Sequence, residues 1–190
     1  IPTYAASIKN CPHVIKVLGT FINKSDKPKK CLEVSSGTGY HTKEFATTFT
    51  NCTFQPTEIE DRLVKSIQAN IDKYSLKNVL PPTLLNVLDL DWKLPNNTFD
   101  LAININMLHI APKATLPGLM RGVGAALNSK GNLLIYGPFK IGGKCTTESN
   151  ERFDQSLKSR NSEWGIRDLE EVQSEAKKNG LEFVDKLEMP

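Results

Sequence analysis

The sequence predicts an α/β fold built on a doubly wound, mostly parallel sheet, and three observations carry that expectation. Strand-like and helix-like patterns alternate along the chain. Phe99–Asn106 is nearly continuously apolar, as a central parallel strand covered on both faces must be. The stretch Leu32-Glu33-Val34-Ser35-Ser36-Gly37-Thr38-Gly39-Tyr40-His41 reads as the end of a buried strand, a small-residue loop and a helix start. Such a junction exposes backbone N–H groups beside a helix N-terminus, which suits a nucleotide-like ligand.

The elements follow in order. Ile8–Asn23 has Val14, Val17, Leu18 and Phe21 at helical spacing. Lys30–Val34 is the first strand and Gly39–Thr50 the helix after the loop. Thr53–Thr57 is the second strand, and Glu60–Tyr74 a helix with Leu63, Ile67 and Ile71 on one face. Pro81-Pro82 breaks the chain before a third strand at Thr83–Leu88, and Phe99–Asn106 is the fourth. A helix at Thr115–Leu127 stops at Asn128-Ser129-Lys130-Gly131, before a fifth strand at Asn132–Tyr136. Arg167–Asn179 is the last helix, with Gly180 as its C-terminal cap, and Leu181–Leu187 a sixth strand. No repeat or low-complexity tract interrupts this pattern, so residues 1–190 are expected to form one domain.

Bulk properties narrow the function classes. A net charge of +3 with no long basic block argues against nucleic acid, and Lys27-Pro28-Lys29-Lys30 reads as a solvated loop. No apolar run is long enough to span a bilayer and the first residues are not signal-like, so no membrane partner is expected. Cys11, Cys31, Cys52 and Cys145 lack metal spacing and fit free thiols in a reducing, cytoplasmic setting. The glycosylation-type triplets at Asn23, Asn51 and Asn96 read as chance matches to a short pattern. The oligomeric state is not legible.

The loop chemistry discriminates among ligands. A dinucleotide fingerprint requires Gly or Ala three residues after the second glycine, and Thr42 stands there. Glu33, Gly37 and Gly39 instead resemble the S-adenosylmethionine loop of class I methyltransferases, with Ser35 where many of those have a first Gly. Glu58 ends the second strand about 20 residues past the loop, where a carboxylate can accept both ribose hydroxyls. It could equally be, with Glu60 and Asp61, a first-turn helix residue that complements the macrodipole. Asp89, followed by Leu90, can read an exocyclic amine such as that of adenine, or be a solvated loop residue. Asn104, Asn106, Met107 and His109 should line the cofactor's methyl end, because ligands of open α/β sheets lie beyond the strands' carboxyl ends. His109 is a candidate general base, with a packed histidine as the alternative.

Residues 136–168 form a connection too long for a simple crossover, mixing aromatic, acidic and guanidinium side chains as a substrate lid would. Asp154, Arg160, Trp164 and Arg167 are its candidate substrate contacts; the alternative is an ion-pair cluster that staples the loop.

From Lys9-Asn10 to Met189-Pro190 the chain resembles the methyltransferase-like protein 26 family, an uncharacterised class I, Rossmann-like methyltransferase family. The resemblance is carried by Leu32–His41, Phe54–Glu58, Ile105–Ile110 and Tyr136–Asp168, most specifically by Arg160-Asn161-x-x-Trp164-Gly165-x-Arg167-Asp168. It implies a seven-stranded fold and contacts to S-adenosylmethionine from Glu33, Gly37, Glu58, Asp89 and the end of the fourth strand. Tyr40 and Ile8 depart from the family, which has Gln and Glu there. No residues follow Pro190 to make an antiparallel last strand, so the chain is expected to be a fragment lacking it. The expected activity is methyl transfer to a small-molecule acceptor. A non-catalytic binding module and a nicotinamide-dependent oxidoreductase are the alternatives, the latter opposed by Thr42.

Overall fold

Leu32 and Val34 of one strand belong to one hydrophobic cluster while Cys31, just before them, belongs to another, so the strand is covered on both faces. This is the two-sided burial expected of a parallel sheet. The computed structural model describes residues 3–23 and 27–190, so the last two residues of the Asn23-Lys24-Ser25 triplet lie outside it.

The chain runs α1 (Ala5–Ile22), β1 (Lys30–Val34), α2 (Tyr40–Thr48), β2 (Thr53–Glu58), α3 (Asp61–Tyr74), β3 (Thr83–Leu84) and β4 (Phe99–Ile105). A 3-10 turn at Leu108–Ile110 precedes α4 (Thr115–Ala126) and β5 (Leu127–Tyr136). Then come β6 (Phe139–Ile141), β7 (Lys144–Cys145), α5 (Glu148–Arg160), β8 (Arg167–Asp168) and α6 (Leu169–Lys178). The central sheet is parallel, in the order β3-β2-β1-β4-β5. α4 and α6 contribute to the cluster on one face, through Leu116, Leu119, Met120, Val123 and Val172. α1 and α2 contribute to the other, through Val14, Leu18, Ile22 and Phe45.

Three predicted elements differ. The third strand stops at Leu84, not Leu88, because the Asn86 side chain accepts the Leu88 N–H at 3.0 Å and turns the chain. The turn predicted at Asn128–Gly131 is absorbed into β5 as an irregularity opposite Phe99–Leu101. Leu181–Leu187 is no strand: a strand needs a hydrogen-bonded neighbour, and this segment has none among the described residues. The α6 terminus behaves as expected. Gly180 (φ +77°) donates to Lys177 O at 3.2 Å and Leu181 to Ala176 O at 3.0 Å, a Schellman cap.

The long connection folds into a substructure of its own, a small sheet of order β7-β6-β8 plus α5. Gly142 and Gly143, both at positive φ, make the two-residue hairpin between Ile141 and Lys144. Thr147 caps α5 by accepting the Asn150 N–H at 3.0 Å.

α4 lies so close to the loop after β3 that a methyl group on Gly118 would sit 2.6 Å from the Val87 carbonyl oxygen. Because that atom is backbone, Gly118→Ala is expected to destabilise the fold by about 1–3 kcal/mol despite the better helix propensity of Ala. Urea unfolding monitored by circular dichroism checks this.

Candidate functional site

The site lies along the carboxyl edge of the central sheet, where β1 meets β2 on one side and β4 on the other. Crossovers leave this switch point in opposite directions and open a crevice there. The register sets Val34 beside Asn104 and Ile105 beside Tyr136, so the ends of β1, β4 and β5 present their following loops in one row.

The loop after β1 turns through three left-handed residues, Ser35 (φ +60°), Gly37 (φ +59°) and Gly39 (φ +84°). Ser35 thus occupies a conformation that costs a non-glycine residue about 1–3 kcal/mol. A side chain at Gly39 would also be crowded, since a methyl group there would lie 3.0 Å from Ile67 Cα. The loop is held from outside. The Thr38 carbonyl accepts hydrogen bonds from Ser66 Oγ and Asn70 Nδ2 of α3, both at 2.9 Å. Ser36 N donates to Thr57 O at 2.8 Å.

Glu58 closes the loop. Its Oε2 accepts the Gly37 N–H at 2.8 Å and the Ser35 hydroxyl at 3.3 Å, and its Oε1 accepts the Ile59 N–H at 2.8 Å. Glu33 lies buried beneath the loop with Oε2 accepting Thr42 Oγ1 at 2.5 Å. Burial is the main force on it and raises its pKa from 4.5 to about 7, against the hydrogen bonds from Thr42 and Ser36 and with some help from the Glu58 charge. Thr42, whose presence breaks the dinucleotide pattern, is therefore the partner of the loop's buried acid.

Asn104 is fully buried at the end of β4. Its Nδ2 donates to Val34 O at 3.0 Å and approaches Met107 Sδ at 3.5 Å, while its Oδ1 has no hydrogen-bond partner. A buried acceptor without a donor is uncommon and marks a place where a ligand can supply one. Asn106 has φ +53° and donates its N–H to Tyr136 O at 2.9 Å. His109 is buried in the 3-10 turn with its ring edge-on to Phe153, centroids 5.4 Å apart. Burial, then the Arg167 charge, lowers its pKa to about 4. On the other side of the switch point the Asp89 side chain is exposed and its carbonyl accepts Arg121 Nη2 at 3.1 Å. Two large apolar side chains stand open on the loops here, Ile59 after β2 at 56% exposure and Leu90 at 86%.

Glu33, Ser35, Gly37, Gly39, Glu58, Asn104, Asn106 and His109 thus share the edge of β1, β2 and β4, with Asp89 and Leu90 on the loop after β3. The other four candidates, Asp154, Arg160, Trp164 and Arg167, belong to the connection after β5. Asp154 Oδ2 pairs with Lys140 and Lys158, both at 2.8 Å, and Oδ1 accepts the Ile166 N–H at 2.7 Å. Burial opposes its charge, but these partners together outweigh burial and bring its pKa to about 2. Arg160 does not meet Asp154; its guanidinium stacks over Trp164 at 5.6 Å. Arg167 hydrogen-bonds the carbonyls of Leu108 (3.2 Å), Ala111 (2.6 Å) and Glu163 (2.8 Å), joining the 3-10 turn to the lid. Sequence reasoning missed Ser66, Asn70 and Ile59, which carry no motif, and Gly142-Gly143, whose hairpin signal was readable.

The chain matches the model of the family described as "Protein of unknown function (DUF938)" over residues 2–190. It belongs to that family. Among solved structures, the fold is similar to YcgJ of Bacillus subtilis, with a TM-score of 0.68 at 15% identity over 88% of this chain and 68% of that one. It is similar to the mitomycin 7-O-methyltransferase MmcR, with a TM-score of 0.75 at 13% identity over 94% of this chain and 49% of that one. A third is the phosphoethanolamine N-methyltransferase 2 of Haemonchus contortus in complex with S-adenosyl-L-methionine, with a TM-score of 0.67 at 16% identity over 89% of this chain and 36% of that one. The chain spans about half or less of the latter two. At these identities the likeness establishes the fold, the α/β architecture of class I methyltransferases.

Two outcomes follow from the charges. Glu33 binds its proton more tightly when folded, so its contribution to stability is fully present below about pH 4 and is lost as pH rises toward 7. Glu33→Gln should remove that loss, roughly 2–4 kcal/mol between pH 4.5 and 8; urea midpoints across this range check it. Asp154→Ala should cost about 1.5–3 kcal/mol, the scale of hydrogen bonds to a charged group, read as a lower melting temperature at pH 7.

Proposed function

We propose that the protein is an S-adenosylmethionine-dependent methyltransferase acting on a small-molecule acceptor. The observation that carries this reading is the pair of carboxylates at the loop: Glu33 beneath it and Glu58 across its Gly37 N–H. In a dinucleotide site the N–H groups of such a loop face a pyrophosphate. Here Glu58 already takes Gly37 N–H, and an added anion would meet two acids. A ligand with a cationic amino-acid end and an uncharged ribose suits the same place.

The residues fit that group part by part. Glu58 is the acceptor for ribose hydroxyls, and the exposed Asp89 carboxylate suits an exocyclic amine. Ile59 and Leu90 are apolar surfaces that a flat base would remove from water. Glu33 and the unpartnered Asn104 Oδ1 offer acceptors to an ammonium group. When bound, the cofactor supplies an electrophilic methyl group on sulfur. The chain's part is to hold the acceptor in line with that methyl carbon and exclude water, and such positioning can contribute ~7–11 kcal/mol. The lid, anchored by Asp154 and Arg167, is the element that covers the methyl end. The resemblance to the methyltransferase-like protein 26 family supports this, since its most specific motif, Arg160 to Asp168, forms the end of the lid. Free thiols at Cys11, Cys31, Cys52 and Cys145 suit a cytoplasmic setting, and no described helix is long and apolar enough to cross a membrane. The whole protein is proposed to work without nucleic acid, in keeping with its modest charge.

Calorimetry tests the reading. S-adenosylmethionine and S-adenosylhomocysteine are expected to bind at micromolar concentrations and NAD not at all; binding of NAD alone would overturn it. Glu58→Ala should weaken S-adenosylhomocysteine by about 1.5–3 kcal/mol, the scale of lost hydrogen bonds to a charged group.

A further inference from the structure

Gly137 follows β5 directly, and the atoms nearest its absent side chain belong to the site. A methyl group built there would lie 3.7 Å from His109 Nδ1, 4.0 Å from His109 Cε1 and 3.8 Å from Asn106 Oδ1. The loops after β4 and β5 therefore converge on the position that a side chain of residue 137 would take, within contact distance of His109 and Asn106. His109 borders it, and its ring makes no hydrogen bond with the described residues. An imidazole with no partner in the chain keeps its donor and its acceptor for a group supplied from outside.

Charge narrows the partner. Arg167 is the charged group that acts on the His109 ring, and it disfavours a second cation there. It gives an anion no hydrogen bond either, since its guanidinium already serves the carbonyls of Leu108, Ala111 and Glu163. Asp154 cannot hold a cation, because its carboxylate serves Lys140, Lys158 and the Ile166 N–H. A charged acceptor would be held there without a hydrogen-bonded counter-ion, which is costly. A hydroxyl can donate to the imidazole while its apolar frame rests on Phe153, whose ring meets His109 edge-on.

We propose that the reactive group of the methyl acceptor docks against Gly137, between His109 and Asn106, and that it is a hydroxyl on an uncharged small molecule. This rests on the methyltransferase reading above. The hydroxyl oxygen forms its bond to the methyl carbon as the carbon–sulfur bond breaks, with the electron pair of that bond left on sulfur. The hydroxyl proton passes to the free ring nitrogen of His109. The oxygen becomes far more acidic than an imidazolium as its new bond forms, so even a weakly basic imidazole suffices. His109 then returns the proton to water.

The test uses the full chain saturated with S-adenosylhomocysteine. Para-methylbenzyl alcohol, para-methylbenzylamine and para-methylbenzoate share one frame and differ in charge; each is titrated while the His109 ring signals are followed by NMR, with His109→Gln identifying them. The alcohol is expected to shift the His109 signals saturably, and the two ions to bind at least about tenfold more weakly. Gly137→Ala should weaken the alcohol by at least about tenfold while leaving S-adenosylhomocysteine within about twofold. Gly137 is not in the left-handed region and the added methyl has 3.7 Å of clearance, so the variant should melt as the wild type does. An alcohol that leaves His109 unmoved, an ion that binds as well, or unchanged alcohol binding by Gly137→Ala would each overturn the proposal. Failure of the wild type to bind S-adenosylhomocysteine would overturn the methyltransferase reading itself; cofactor binding without a His109 response removes the acceptor site alone.

Discussion

The carboxylate of Glu58 is the contact on which the geometry of this edge depends. It comes from β2, yet its two oxygens take the N–H groups of Gly37 and Ile59 and the hydroxyl of Ser35, so one side chain joins the loops after β1 and β2. The loop it holds is not a relaxed one. Ser35 sits at positive φ without being glycine, and a residue in that state persists only where its surroundings over-determine it. Glu58 from one side, and Ser66 and Asn70 from α3 on the other, supply that determination. The shape of the loop is thereby fixed by contacts within the chain alone.

The lid is built on the same logic but with charge pairs in place of backbone strain. Asp154 brings together Lys140 of β6, Lys158 of its own helix and the backbone at Ile166, while Arg167 ties the far end of the lid to three carbonyls around the 3-10 turn. Both side chains are buried and both are satisfied. Removing a partner from such a group is costly because the remaining one stays buried and unpaired. The lid therefore sits over the end of β4 as a fixed wall, and Gly165 N donating to His109 O at 3.0 Å fastens the two together.

What was legible in the sequence follows the physics of each feature. The strands and helices of the central sheet were readable because burial on one face or two imposes periodicity, as in β1 with Leu32 and Val34 on one side and Cys31 on the other. The third strand was read too long because Leu85 and Val87 are buried like strand residues; what ends the strand is a single Asn86 side chain, which apolar patterning does not weigh. Leu181–Leu187 has strand-like composition, but a strand is defined by its neighbour and not by its own residues. At the site, Glu33 and Glu58 were legible because acids at strand ends beside a glycine loop are unusual. Ser66 and Asn70 were not, since they act across the fold on a carbonyl and leave no mark on local pattern. Asp154 and Arg167 stood out as charges in a long connection, but nothing in a sequence separates a charge that meets a ligand from one that meets its own backbone.

The two acids of the loop show how environment divides identical chemistry. Glu58 has N–H donors on both oxygens, whereas Glu33 has the hydroxyl of Thr42 and is otherwise enclosed, and its proton is held to about pH 7. Burial withholds solvent from the Glu33 carboxylate, and the nearby Glu58 charge adds to the cost of ionising it. A cationic ligand reverses the balance at Glu33, because a positive group brought to the loop favours the ionised acid and is favoured by it in turn. An anionic ligand has no such reciprocity at either residue. On the proposed reading, the preference for a cationic cofactor end draws on this buried glutamate, which burial keeps protonated against the hydrogen bond from Thr42, the residue at the position where a dinucleotide fingerprint has a glycine or alanine.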